Sequence, residues 1–336
     1  MSKPIEDYGI IGNMISAALV SRDGSIDWLC LPRFDSAACF AALLGNPEQG
    51  RWLLTPEDPA CRISRRYVPG TAVLESRFET ATGCCTLTDF MPLTHDEEKV
   101  DVVRIVRGIS GEVAMSMELI LRFNYGQVVP WVRRRDYGLS AVAGPDAVEL
   151  HTAVALVGRN MTTTARFTIR ENEEVPFTLS YHRSHKMPHF VPDSSETMDR
   201  TISWWQEWSK RCLFDIKHHV WRDAVIRSLI TLKLLTCGPT GGIVAAPTTS
   251  LPEAIGGSRN WDYRYCWLRD SALTLYALLN AGYREEAEAW RQWLLRAAAG
   301  RPEQLHIMYG IAGERWLPEN EVPWLPGYEE SSPVRI

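Results

Sequence analysis

Apolar and polar positions alternate in short runs over the first half of the chain, and the period changes near residue 195. Residues 17–20 and 26–31 are apolar runs flanking Asp23-Gly24, a dipeptide that predicts a tight β-hairpin. Residues 51–55 form another short run. Residues 71–78 and 84–90 flank Thr82-Gly83, and residues 102–106 and 113–123 flank the glycine-bounded segment 108–111. Further β-prone runs lie at 148–156, 162–169 and 176–181. Many short strands at this spacing predict an all-β sandwich. Further on, Trp221, Ala224, Val225, Ser228, Leu229, Leu232 and Leu235 recur at i, i+3, i+4 and i+7. That pattern predicts an amphipathic helix of about 18 residues, ended by Gly238-Pro239. Two more helices are expected over about 270–281 and 284–299, closed by Gly282 and Gly300, and residues 194–210 read as a linker helix. A loop rich in Gly, Pro, Ser and Thr spans 237–260. No internal repeat is evident.

Composition narrows the class. At 336 residues the chain should form about two domains. With 45% hydrophobic and 23% charged residues it is not disordered, collagen-like or a coiled coil. A net charge of -5 gives no electrostatic footprint for nucleic acid, and the densest basic tract, 131–135, reads as a solvated strand end. No apolar run reaches the ~18–20 residues that span a bilayer. The N-terminus lacks the basic and apolar regions of a signal peptide, so the expectation is a cytoplasmic protein with no membrane partner. The eight cysteines at 30, 39, 61, 84, 85, 212, 237 and 266 form no C-x-x-C pair, which points to reduced, mostly buried thiols and neither a zinc site nor a disulfide framework. G-x-S-x-G, P-loop and H-E-x-x-H motifs are absent. No cofactor or metal is expected, and His218-His219 reads as an exposed helix start.

The segment 257–270 concentrates the chemistry. It holds Trp261, Tyr263, Tyr265 and Trp267 together with Arg259, Asp262, Arg264, Arg269 and Asp270. A surface loop has no need of so many large rings, and a buried loop cannot hold so many charges without partners. A ligand cleft meets both conditions: carboxylates accept hydroxyl hydrogen bonds, guanidinium groups donate them, and rings stack. Asp270 is equally placed to cap a helix. Ten of the thirteen tryptophans fall in 197–336, a distribution that suits either a carbohydrate cleft or a helix-packing core.

Three stretches resemble glycoside hydrolase family 15, the glucoamylase and bacterial trehalase family. They are Ile5-Glu6-Asp7-Tyr8 through Gly24-Ser25-Ile26-Asp27-Trp28 to Ser36; Ala246-Pro247-Thr248-Thr249 through Asn260-Trp261-Asp262-Tyr263 to Trp267-Leu268-Arg269-Asp270; and Gly327-Tyr328 to Pro333-Val334-Arg335-Ile336. The first is similar to the N-terminal domain of the trehalase-like branch. The resemblance covers essentially the whole chain. It implies a multidomain β + α protein: an N-terminal β-sandwich (supersandwich) over 1–193, a helical linker over 194–217, and over 218–336 the beginning of an (α/α) barrel of six helical hairpins, incomplete in this chain. It implies cleavage of α-glucosidic bonds with inversion. Trp267, Arg269 and Asp270 would form the glucose subsite, Tyr263 would lie near the reacting centre, and Arg335 would contact sugar or carboxylate. One departure stands at Glu330, near which the family usually has glycine.

Inverting hydrolysis requires two carboxyl groups roughly 6.5–9.5 Å apart. The family takes both from positions expected downstream of Ile336. Glu253, Asp262, Glu319, Glu321, Glu329 and Glu330 match none of those stretches, and Glu253 and Asp262 are expected to brace the cleft loop instead. The expectation is therefore a fragment that carries the subsite loop without the catalytic pair and leaves apolar helix faces uncovered. The α-glucoside is open among trehalose, maltooligosaccharide and isomaltose types. Two alternatives stand beside this reading: an inverting disaccharide phosphorylase, and a catalytically inactive sugar-binding module.

Overall fold

A computed structural model describes residues 2–214 and 219–336. Fifteen strands come first: β1 (Gly9–Gly12), β2 (Ala17–Val20), β3 (Ser25–Cys30), β4 (Ala38–Phe40), β5 (Arg51–Pro56), β6 (Arg62–Tyr67), β7 (Leu74–Glu79), β8 (Gly83–Phe90), β9 (Val100–Ile120), β10 (Trp131–Arg135), β11 (Gly138–Ala143), β12 (Asp146–His151), β13 (Val157–Arg159), β14 (Thr162–Arg170) and β15 (Glu174–Arg183). Then follow helices α1 (Ser194–Lys210) and α2 (His219–Leu234), the short strand β16 (Cys266–Trp267), α3 (Leu268–Asn280), α4 (Arg284–Ala297) and β17 (Met308–Tyr309).

The strands form two antiparallel layers joined through β9. One layer runs β1-β2-β3-β5-β9-β14-β13, with β4 on β3. The other runs β6-β7-β8-β9-β15-β12-β11-β10. The first part of β9 pairs with β15 and β8, and the later part with β5 and β14. The sequence predicted two strands here, separated by the glycine-bounded segment 108–111. The structure corrects this to one strand of 21 residues. The glycines let β9 change layers without ending it. A Cβ on Gly108 would lie 1.9 Å from the Arg170 carbonyl oxygen, and Gly111 holds φ +61°. The Asp23-Gly24 turn joins β2 to β3 as expected, with Gly24 at φ +86°.

Alternation along the strands separates the two faces. Ala18, Val20, Ile26 and Leu29 face the inter-sheet core with Trp52, Leu87, Val102, Val106 and Met117. Leu19, Trp28 and Cys30 face outward, yet they are buried under Val322, Leu325, Tyr328 and Val334 from the end of the chain. This double cover explains why every residue of β3 is buried.

One ion pair lies in the inter-sheet core. Arg104 on β9 stands directly opposite Asp89 on β8. Its Nε lies 2.8 Å from Asp89 Oδ1, and both side chains are fully excluded from solvent. The same guanidinium donates to the carbonyls of Trp52 and Gly24 in the other layer, each at 2.6 Å.

The helices pack as their periodicity requires. α1, expected as a linker, is a core element: Trp205 and Trp208 are buried against Leu229, Ile230, Leu278 and Tyr283. Its outer turns lay Met198 and Ile202 on Val73, Val103 and Ile105 of the β layer. α2 begins at His219, and His218 and residues 215–217 lie outside the described residues. Buried Glu286 on α4 joins three helices, accepting from Trp208 Nε1 at 2.7 Å and pairing with Lys233 Nζ at 3.1 Å. Burial works against its charge, but Lys233 and the indole N–H outweigh that and hold the carboxyl below the usual glutamate range. A carboxylate depressed in the folded state contributes stability that is present above its unfolded value and lost as pH falls through the folded one. The chain should therefore lose stability as pH drops below 4.5. Glu286→Gln should lower the urea midpoint at neutral pH and flatten this acid limb, which midpoints measured between roughly pH 3 and 6 would show.

All eight cysteines are free, and six are buried. No helix among the described residues is long and apolar enough to cross a membrane. On the helical side several large apolar groups face solvent: Trp221 on α2, Leu273, Tyr276 and Leu279 on α3, and Leu295 on α4.

Candidate active site

The chemistry-rich segment runs from a loop into the first turn of α3. It is pinned by backbone pairing to the preceding loop: Ala246 N donates to Tyr263 O at 2.9 Å, Ala245 N to Tyr265 O at 3.0 Å, and Ser250 N to Trp261 O at 2.9 Å. β16 then pairs with β17, Trp267 opposite Met308.

Beneath this loop lies a buried charge pair. Asp262 and Arg264 are two residues apart, and the Arg264 amide donates to Asp262 Oδ1 at 3.0 Å, which folds the two side chains together. Arg264 Nη2 lies 2.6 Å from Asp262 Oδ2, with side-chain exposures of 2% and 7%. Arg264 Nη1 also donates to the Ser36 carbonyl of the β layer at 2.9 Å, and its guanidinium lies 5.4 Å from the Tyr125 ring centroid. Burial opposes the charge on Arg264, but Asp262 overcomes it and keeps the group firmly protonated. Burial likewise pushes the adjacent Cys30 thiol up to about 11, with Arg264 pulling it partly back. The loop is thus bolted to the sandwich, as is its neighbour through Trp28 Nε1, which donates to Pro247 O at 2.7 Å.

A second brace is Asn260. It is fully buried, and its Nδ2 donates to the carbonyls of Gly257 (3.1 Å), Ser331 (3.1 Å) and Pro333 (3.2 Å), tying the segment to the end of the chain. Glu253 sits further out, 3.1 Å from Arg259 Nε and within 3.3 Å of Trp261 Nε1.

Four of the five residues expected in the sugar subsite come together around the start of α3. Tyr263 and Trp267 are half-buried with ring centroids 5.6 Å apart. Arg269 Nη2 lies 3.1 Å from Asp270 Oδ2, and the two side chains are 73% and 32% exposed. Asp270 does not cap α3. Trp267 takes the N-cap position, with no side-chain cap, and Asp270 lies in the first turn. Its carboxylate benefits there from the positive end of the helix dipole, and both charged groups open to solvent.

Arg335 lies elsewhere. Its Nη1 donates to the Ser258 carbonyl at 2.8 Å, its Nε lies 3.3 Å from Glu319, and its guanidinium is 5.2 Å from the Trp261 ring centroid. Its backbone is held by Thr249 and Ser250. None of these contacts reaches Tyr263, Trp267, Arg269 or Asp270. Nearby, Glu329 and Glu330 adopt φ +46° and +60°. Left-handed backbone strains an L side chain, whereas glycine tolerates it. Glu330→Gly should therefore raise stability by about 0.5–1 kcal/mol, read as a higher urea midpoint at unchanged slope.

The tryptophan enrichment divides: Trp205, Trp208 and Trp293 are buried in helix contacts, whereas Trp221, Trp316 and Trp324 are exposed. Among the described residues no group of three or more His, Cys, Asp or Glu side chains could hold a metal ion. Asp262 and Glu253 brace the loop through Arg264 and Arg259, whereas the supporting roles of Arg264 and Asn260 were not expected from sequence. The Asp-x-Arg spacing was the available signal for the first, and the second had none.

Residues 219–336 match the family model described as glycosyl hydrolases family 15, and residues 1–201 match the model described as trehalase-like, N-terminal. A trehalase of Mycolicibacterium smegmatis is 34% identical over 362 residues, covering 99% of this chain and 53% of that protein. Trehalase 1 of Sulfolobus acidocaldarius is 34% identical over 337 residues, covering 99% of this chain and 56% of that protein. The chain spans about half the length of these curated relatives. A bacterial glucoamylase solved in complex with acarbose shares the fold, with a TM-score of 0.64 at 12% identity over 94% of this chain and 53% of that one.

Proposed function

This chain belongs to glycosyl hydrolase family 15, and on that premise we propose that it builds the glucose-binding wall of an inverting α-glucoside hydrolase acting on trehalose. The single observation that carries the reading is the solvent-open Arg269–Asp270 pair in the first turn of α3, following closely in the chain on the paired Tyr263 and Trp267 rings, on a loop bolted from below. Asp270 accepts hydrogen bonds from sugar hydroxyls, Arg269 donates them, and the rings offer apolar faces to the pyranose. Arg335 is a positioning residue that holds Ser258 and Trp261. That these curated relatives are trehalases supports trehalose as the substrate.

In this reading the acid that protonates the glycosidic oxygen and the base that activates water lie outside these 336 residues. Asp262 and Glu253 are engaged with Arg264 and Arg259, which supports that assignment. The solvent-facing Leu273, Tyr276 and Leu279 of α3 support a helical layer that continues in the whole protein into an (α/α) barrel.

Saturation-transfer NMR on the 336-residue chain tests the binding half. Trehalose should receive magnetisation from the protein, and Asp270→Ala and Arg269→Ala should each weaken the effect about tenfold, the loss of one charge-assisted hydrogen bond. Transfer to trehalose that neither variant changes would refute the subsite. The same chain should release no glucose from trehalose; robust release would refute the placement of the acid and base.

A further inference from the structure

The two layers of the sandwich do not close on each other along one side. There β10 ends one layer and β13 ends the other. Between these edges the core opens into a concavity of about 660 Å³, within the range of small-molecule sites. Its floor includes Leu119, Leu121 and Leu139, each of which also belongs to the inter-sheet core. Arg134 and Arg159 stand among its lining residues, which include no carboxylate. Among the described residues neither guanidinium forms an ion pair, in a protein whose net charge is -5. Trp131 is 67% exposed at the mouth and carries the Arg133 guanidinium 3.8 Å above its ring.

The turn at the rim is strained. Asn160 and Met161 join β13 to β14 with φ +52° and +57°. A two-residue turn with both φ values positive favours glycine at its second position, yet here Met161 holds it and leaves its side chain 72% exposed against the concavity. Unrelieved backbone strain and exposed apolar surface at one place point to a ligand.

We propose that this mouth binds an amphipathic carboxylate, its aliphatic chain on the leucine floor and its head group on Arg134 and Arg159. An apolar floor does not complement a polyhydroxylated sugar, and two cations without acidic partners complement an anion. The site lies on the β layer, separate from the Arg269–Asp270 loop, and stands independently of the sugar-binding reading.

Titration calorimetry of the 336-residue chain with decanoate, below its micelle concentration, tests it. Decanoate should bind one to one, and 1-decanol at least about tenfold more weakly, since it keeps the tail and loses the charge. Arg134→Ala with Arg159→Ala should weaken decanoate about tenfold at an unchanged melting temperature, because both side chains are at the surface. Gly158→Trp should abolish binding by filling the mouth, where an added Cβ meets nothing within 4 Å. Absence of decanoate binding, equal affinity for decanol, or binding that survives both variants would overturn the proposal.

Discussion

Asp89→Ala is expected to destabilise the chain by about 3–5 kcal/mol, because it strands the Arg104 guanidinium in the inter-sheet core without a counter-charge. Arg104 cannot turn to solvent. It lies on the inner face of β9, and two of its nitrogens are engaged with Trp52 O and Gly24 O in the opposite layer. Burial raises the Asp89 carboxyl above its ordinary value, with Arg104 pulling against that rise, so the two side chains form one unit. Urea unfolding followed by circular dichroism measures the loss. A double-mutant cycle with Arg104→Met should give a coupling energy of at least about 2 kcal/mol, beyond that of an exposed pair. A loss within about 0.5 kcal/mol, as for a surface substitution, would mean that water or a shifted backbone satisfies Arg104.

Asp262→Ala should have an effect of similar size, about 3–5 kcal/mol, for the same electrostatic reason, but at the joint between the loop and the sandwich. Arg264 holds the Ser36 carbonyl on one side and Asp262 on the other. Without the carboxylate, the loop that presents Tyr263, Trp267, Arg269 and Asp270 loses its main tie to the β layer. Hydrogen exchange should accelerate at Ala246, Ser250 and Arg264, whose amides now bond within this region, while β12 and β15 stay protected. Transfer of magnetisation to trehalose should fall with it. Asp262→Asn, which keeps the shape and one acceptor, should lie between the two. Faster exchange throughout the sandwich would show instead that the pair supports the whole fold.

How much of this was legible in the sequence depends on the range of the interaction. Hairpins set by local turn chemistry, such as the one at Asp23-Gly24, and helices with a 3.6-residue apolar stripe were readable because their signals lie within a few residues. The continuity of β9 was not. Gly108 and Gly111 look like a turn locally, and only the pairing of residues 83–90, 51–56 and 163–181 on either side makes the segment one strand. Asp270 as a cap was a reasonable reading of residue type, but β16 pairing with β17 ends extended structure at Trp267 and starts α3 earlier. The cluster around Asp270 was visible from composition. Asp262 and Glu253 were expected to brace it, and both are engaged with arginines, but the far partners were not legible, since Arg264 finds Ser36 and Asn260 finds Ser331 across 228 and 71 positions of chain.

The strand shared by both layers also governs the order in which the protein can form. β9 is flanked by β8 and β15 in one layer and by β5 and β14 in the other. One layer cannot complete itself until chain as far as residue 170 is present, and the other until chain as far as residue 183. Closing such distant pairings costs loop entropy before contacts repay it, which places folding of sandwich domains in the millisecond-to-second range. During synthesis, β1 to β9 therefore leave the ribosome with two half-built sheets and unpaired edges, and this exposed interval, more than any later event, is where association with other chains would begin.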